Sequence, residues 1–387
     1  MRQAPWLGAL ALLLGAALPA RAAEPYTIDV MLPLTGGAAF LGKGEQASLG
    51  LAEGVVNDTG GIKGQPLHLE FHDDQSNPQI SVQLVNSLMA RKPAVILGSS
   101  LVASCRAMAP LMQDGPVEYC FSPGIHPEKG YVFSASISTL DLIAASVRYL
   151  RLKGLTRVAL MFSSDATGQD AENGVKMALA LPENEAMKVV ALVHFNITDV
   201  SVAAQLETVK AANPQAFIAW STGTPIATIF QGIVQAGLDV PVVTTAGNMT
   251  YAQMKQYAAF LPKELLIAAP QWVVKDNAQL PPGIVAAHKL YFGAFAKAGI
   301  RPDQSSDLPW DATMTVVSAL RKYGPGATAE QVRDFIAGQT DLAGVDGIYN
   351  FVKIPQRGLD ISDGVITHWS PKDDTWIPVS KAGGAPL

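Results

Sequence analysis

Four groups of residues in this 387-residue chain have the types and spacing to do chemistry. Gly37, Gly42 and Lys43 match the start of a phosphate-cradling loop, but Gly44 stands where a Ser or Thr hydroxyl would have to reach magnesium. The motif is incomplete, and nucleotide hydrolysis is not supported. His68, Glu70 and His72 alternate along one segment and so share a strand face, a spacing that metal ligands use. A polar outer face on an edge strand gives the same pattern without a metal. Asp73 and Asp74 form a carboxylate pair of the kind used in acid–base work, yet they run into Ser76-Asn77-Pro78, the composition of a turn and a helix start. Ser99, His126 and Asp165 supply the residue types of a hydrolytic triad, but no nucleophile-elbow pattern surrounds the serine. An enzyme is not expected, and neither a cofactor nor a metal is implied.

The elements that hold these residues alternate between strand and helix. A strand over Tyr26 to Leu32 breaks into the glycine-rich turn Pro33 to Gly42, and an apolar helical pattern follows through Ala47, Leu51 and Val55. Such turns lie at the carboxyl edge of a parallel sheet, where open α/β folds hold their ligands. Further strand–helix pairs follow to about residue 243, with a restart near Leu140. Two doubly wound α/β units in tandem are the simplest account. Helices over 283–298 and 308–323, and short strands around 348–352, 365–369 and 376–379, must be shared between the two units. Cys105 falls in the first turns of a helix and Cys120 ends the next strand, two places that share the carboxyl edge, so a disulfide is expected in oxidising surroundings.

The N-terminus says where those surroundings are. Arg2, the apolar run Trp6 to Leu18, and Ala20-Arg21-Ala22 read as a secretory signal peptide over residues 1–22. No Cys follows the cleavage site, so no lipid anchor is expected, and no later apolar run approaches the ~20 residues that span a bilayer. Cleavage removes Arg2 and Arg21, leaving 26 basic residues against 33 acidic ones, a formal charge of −7. Mild acidity without a Lys/Arg cluster argues against nucleic acid as a partner. A periplasmic protein of two domains is the expectation.

Leu32-Pro33-Leu34-Thr35-Gly36, Asn57-Asp58-Thr59-Gly60-Gly61-Ile62-Lys63-Gly64, Asp73-Asp74-Gln75-Ser76-Asn77-Pro78, Ile96-Leu97-Gly98-Ser99-Ser100 and Ala236-Gly237-Leu238, in that order, resemble the leucine/isoleucine/valine-binding proteins that feed ABC importers. The resemblance covers nearly all of the mature chain. It implies a type I periplasmic-binding-protein fold, with two flavodoxin-like lobes joined by three crossovers and a ligand in the cleft. Lobe 1 would be 24–137 plus 273–343, and lobe 2 would be 138–272 plus 344–387. It also implies an ABC permease and its ATPase subunits as partners, and a monomer.

Carried over residue by residue, the resemblance puts Phe40 in the first loop. Ser99, Ser100, Leu101 and Val102 fall where main-chain amides and hydroxyls hold a carboxylate, and Gly124 and His126 fall in a second binding loop. On lobe 2 it puts Thr167 and Thr222 where the family often has Tyr, with Trp220 nearby. The loop around Asn248 and Met249 falls where amino-acid binders place a carboxylate against the ligand's ammonium, and no acidic residue stands there. A buried ammonium without a counter-charge costs several kcal/mol. The expected ligand is a small organic acid, an aromatic carboxylate among the candidates. Phe40, Trp220, Met249, Trp272 and Trp310 offer flat or polarizable apolar surface for one, and His126 offers a carboxylate a hydrogen bond. Branched-chain amino acids or amides, and a periplasmic sensor, stand as alternatives.

Overall fold

The computed structural model describes residues 24–274 and 280–387, so the signal-peptide segment 1–22 lies outside the described residues. The first sheet is all parallel, in the order β2-β1-β3-β4-β5, with β1 at Tyr26–Leu32, β2 at Leu67–Asp73, β3 at Val95–Gly98, β4 at Val117–Cys120 and β5 at Val132–Ser134. A second sheet holds five parallel strands: β6 (Arg157–Ser163), β7 (Lys188–Phe195), β8 (Ala216–Trp220), β9 (Val242–Thr244) and β10 (Leu265–Ala269). A small hairpin of β11 (Leu342–Ala343) and β12 (Ile348–Tyr349) separates these from β13 (Val365–Ser370) and β14 (Thr375–Pro378). These last two add antiparallel to β10, giving the order β14-β13-β10-β9-β8-β6-β7. The late C-terminal strands thus complete the second sheet.

Helices cover both faces of each sheet, as buried parallel strands require. On the first sheet α1 (Ala39–Asp58) lies on one face, and α2 (Pro78–Met89) and α3 (Val102–Met108) lie on the other. The second sheet is flanked by α4 (Thr139–Leu152), α5 (Ala166–Leu179), α6 (Ala203–Ala211), α7 (Pro225–Ala236) and the short α8 (Tyr251–Gln256). Then α9 (Pro282–Ala298), α10 (Gln304–Tyr323) and α11 (Ala329–Ala337) return to the first sheet, α10 packing along the length of α1. There a Cβ at Gly44 would fall 1.8 Å from Ser305 Oγ, so only glycine lets the two helices touch.

Helix α10 starts four residues before the position expected from its apolar pattern. Asp303 and Ser306 form a reciprocal capping box that begins the helix at Gln304 and leaves Pro309 inside it, where the sequence suggested a start. Gly42 of the phosphate-loop look-alike has a packing reason instead, whereas a Cβ at Gly37 would meet nothing within 4 Å. A Cβ at Gly42 would sit 2.3 Å from Pro33 O, while Lys43 is exposed.

Cys105 and Cys120 are joined as a disulfide between α3 and β4, with Cα atoms 6.0 Å apart. Both side chains are buried against the Ser99 carbonyl. Replacing both cysteines by alanine is expected to remove about 3 kcal/mol of stability, from the closed loop alone under the chain-entropy model. Urea unfolding of the oxidised wild type and the double variant checks it.

Candidate ligand-binding site

The carboxyl ends of both parallel sheets point into one chamber between the lobes, enclosing about 490 Å³ of empty space, part of it open to solvent. From the first lobe come Leu41 at the start of α1, Ser100, Leu101 and Val102 after β3, Ser122, Pro123 and Gly124 after β4, and Gln304 and Leu308 of α10. From the second come Thr139, Thr167, Asp170, Trp220, Thr222, Thr245, Ala246 and Gly247. The mix of a flat indole, aliphatic side chains and hydroxyls is that of a small-molecule site.

Local chemistry fixes each wall. Asp73 accepts main-chain bonds from Leu34 (3.0 Å), Thr35 (3.1 Å) and Gln75 (2.9 Å), and a 2.7 Å bond from the Thr35 hydroxyl. Desolvation pushes its carboxyl up, but these bonds together outweigh it and hold the group below its usual range. Asp74 is buried and accepts from the Ser99 hydroxyl, so the acidic pair secures the loops beside the chamber. Beneath Ser100 lies Glu45, fully buried and bonded to the Ser100 hydroxyl. Burial pushes its carboxyl up to about 8, against the lowering bond from Ser100. Helix α5 is started by Asp165, whose carboxylate accepts from Gly168 N at 3.1 Å. That start sets Thr167 and Asp170 on the chamber side.

The lobes touch around the chamber. Thr224 donates its main-chain N–H and its hydroxyl to Gly37 O at 3.0 and 3.1 Å. Opposite, Asp170 Oδ1 meets His126 Nε2 at 2.8 Å and an Arg106 guanidinium nitrogen at 3.2 Å. This is the closed arrangement, in which the lobes hold each other through contacts that open lobes lack. Gly223, at φ +83, sits where a Cβ would fall 2.4 Å from Gly37 O in the other lobe. Gly223→Ala is therefore expected to lower ligand affinity by about tenfold or more by resisting closure. Small-angle scattering with saturating ligand checks this, with the variant staying more extended than wild type.

Of the thirteen ligand residues expected from sequence, Ser100, Leu101, Val102, Gly124, Thr167, Trp220 and Thr222 lie together on the chamber wall. The other six are not among its lining residues. Phe40 is half-buried against the Tyr257 ring, with centroids 6.4 Å apart. Ser99 lies behind Ser100, its hydroxyl on Asp74. His126 is held by Asp170. Asn248 binds the backbone, accepting from Gly223 N at 3.0 Å and donating to Ser221 O at 2.7 Å. Met249 is wholly buried, and Trp310 packs in the core edge-to-face with Tyr291 and at a tilt against Phe295. Trp272 is buried as well. Sequence reasoning missed Asp170, Thr139, Thr245 and Gln304; of these only Thr245 lies in a loop the sequence had singled out.

The other candidate groups are engaged elsewhere. Asp165 is a helix cap, Ser99 binds Asp74 and His126 binds Asp170, so these three do not converge. His72 and Arg91 both contact Asp29 Oδ1, at 2.8 and 2.7 Å, and Arg91 reaches Glu70 at 3.5 Å, making the edge-strand face an ion-pair network.

Buried carboxyls also set a pH dependence. Glu45 is pushed to about 8 and Asp363 to about 6, each mainly by burial, so the folded chain keeps protons that the unfolded chain sheds. Their stabilising contribution is whole below the ordinary carboxylate range and is lost as pH climbs through the folded values. The melting temperature is expected to fall by several degrees between about pH 5 and about pH 8, and Glu45→Gln to flatten that slope. Thermal melts across the range check it.

Comparison with known proteins agrees with this geometry. The family model described as "Periplasmic binding protein" matches residues 25–368. A type 1 periplasmic binding protein from Bordetella pertussis is 21% identical, with 94% of this chain and 100% of that one covered at a TM-score of 0.79. The leucine-binding protein LivK from Thermotoga maritima is 18% identical, over 91% of this chain and 97% of its own, at a TM-score of 0.78. LivJ from Streptococcus pneumoniae, solved in complex with isoleucine, is 16% identical over 92% and 100%, at 0.74. Among curated sequences, a Leu/Ile/Val-binding protein homolog from Brucella melitensis is 35% identical over 72 residues, a stretch spanning about a fifth of either chain (19% of this one, 20% of the relative). Among the described residues no helix is long and apolar enough to cross a membrane. Two parallel-sheet lobes closed on one chamber, and a family model that spans nearly the whole described chain, give one conclusion: this chain belongs to the periplasmic binding protein family.

Proposed function

We propose that the protein captures a small organic acid in the periplasm by lobe closure and hands it to the permease and ATPase subunits of an ABC importer, acting as a monomer. An aromatic carboxylate fits the indole face of Trp220. The lobes divide near residues 137, 272 and 343. One observation carries the acid reading. The Thr244–Thr250 loop presents no acidic side chain, and the single carboxylate on the chamber wall, Asp170, is already bonded by Arg106 and His126. An entering ammonium would meet only a carboxylate whose charge Arg106 already offsets, which is a weak return for desolvating a cation. The hydroxyls of Thr139, Thr167, Thr222 and Thr245 suit a carboxylate that needs hydrogen-bond donors.

The test is a thermal-shift panel on mature protein refolded to strip carried-over ligand. Ligand at a hundred times its dissociation constant stabilises by about 2.7 kcal/mol, a shift of several degrees. Stabilisation by carboxylates, with leucine, isoleucine and valine inert, supports the reading. Stabilisation by the branched-chain amino acids instead replaces it.

A further inference from the structure

Asp170 does more than join the lobes. Its side chain is about 4% exposed, and both cross-cleft bonds, from His126 and Arg106, go to Oδ1. Oδ2 is buried without a hydrogen-bond partner among the described residues, yet Asp170 lines the chamber. Oδ2 stands beside Gly124 and Thr139, since a Cβ built on Gly124 would lie 3.2 Å from it and 3.4 Å from Thr139 Oγ1. A second wall residue repeats the pattern. Gln304 is 1% exposed and donates Nε2 to Asp307 Oδ2 at 2.9 Å, while its Oε1 is buried and unpartnered. Two buried acceptors lining the chamber, one from each lobe and each anchored through its other atom, are matched by a ligand that donates.

We infer that the ligand is an acid carrying a hydroxyl group, and that this hydroxyl donates to Asp170 Oδ2. The inference rests on the organic-acid reading above and adds the substituent. A hydroxyl fits better than an ammonium. Arg106 already offsets the charge of Asp170, so a second cation would gain little, whereas a neutral O–H keeps a charge-assisted bond. Without such a donor, closure leaves Oδ2 desolvated and unpaired, which penalises the parent acid relative to its hydroxy derivative.

The experiment is calorimetric titration of the refolded wild-type protein with matched sets: 4-methylpentanoate, 2-hydroxy-4-methylpentanoate and leucine; 3-phenylpropanoate, 3-phenyllactate and phenylalanine; benzoate and 4-hydroxybenzoate. The hydroxy member of at least one set is expected to bind roughly ten- to a hundredfold more tightly than its parent acid, and Asp170→Asn to reduce that ratio to within about twofold. Hydroxy and parent acids of equal affinity, or a ratio that survives Asp170→Asn, overturn the inference and leave the organic-acid reading standing. Tightest binding by the amino members overturns both. The wild-type ratios are decisive by themselves, so a poorly folded variant does not remove the test.

Discussion

Gly124→Ala is expected to cut ligand affinity by roughly ten- to a hundredfold while leaving a folded, cooperatively melting protein. The glycine needs no left-handed backbone here; its role is to keep space. A Cβ would lie 2.6 Å from Val102 Cγ2, within the same lobe, and 3.2 Å from Asp170 Oδ2 across the chamber. Val102 itself lines the chamber, so a methyl pushed aside there reshapes the space offered to the ligand. Loss of affinity measured by titration, with the ligand-free melting temperature within a few degrees of wild type, is the expected pair of results. Unchanged affinity would place the ligand elsewhere.

Arg357→Met, behind the chamber wall, is expected to destabilise the protein by about 3 to 5 kcal/mol. The guanidinium is buried and donates to four main-chain carbonyls, those of Pro123, Ile125, Ala135 and Ser136. It thereby ties the loop that carries Gly124 and His126 to the segment linking β5 and α4. Burial lowers the guanidinium to about 10, while Asp141, Tyr119 and Asp170 pull it back up. Methionine fills the volume but takes the guanidinium donors from the Ile125, Ala135 and Ser136 carbonyls, while Pro123 O keeps its 3.1 Å bond from Thr139 N. Denaturant unfolding gives the stability loss. The same variant should bind ligand more weakly at temperatures where it remains folded, because the loop loses its anchor.

Much of the fold was legible because strongly periodic segments leave little choice. β1, β3, β4 and β8 fall on their apolar runs, and the α2 start follows from Asn77-Pro78, with the Asn77 side chain accepting from Gln79 N at 2.8 Å. The misses have particular causes. β10 is a five-residue apolar run that carries no period to separate strand from helix, and α8 is six residues long. Pro309 masked the start of α10 because an interior proline reads as a boundary, whereas the Asp303 capping box, which reaches back from Ser306, sets it.

The site was harder to read. Seven wall residues follow from the family resemblance, which carried over positions at or just after the carboxyl ends of strands. Trp310 and Met249 did not, because an aromatic or thioether near a cleft is chemically equally suited to the core behind it, and only packing decides. Asp170 escaped notice for the opposite reason. It lies in the second turn of α5, where an isolated acidic residue looks like ordinary solvated surface. Its importance comes from His126 and Arg106, residues 44 and 64 positions away in sequence.

The packing of α10 along α1 has a consequence for the order in which this protein can be made. Nearly two hundred and fifty residues separate the two helices, and the second sheet is encoded between them. During synthesis the first sheet is finished early, at Ser134, yet the face that carries α1 stays only partly covered until Gln304–Tyr323 has been translated. A growing chain therefore carries an incomplete N-terminal core, with high-separation contacts that form late. Because Gln304 and Leu308 of α10 also line the chamber, the site can first close around a ligand only when nearly all of the chain has been made.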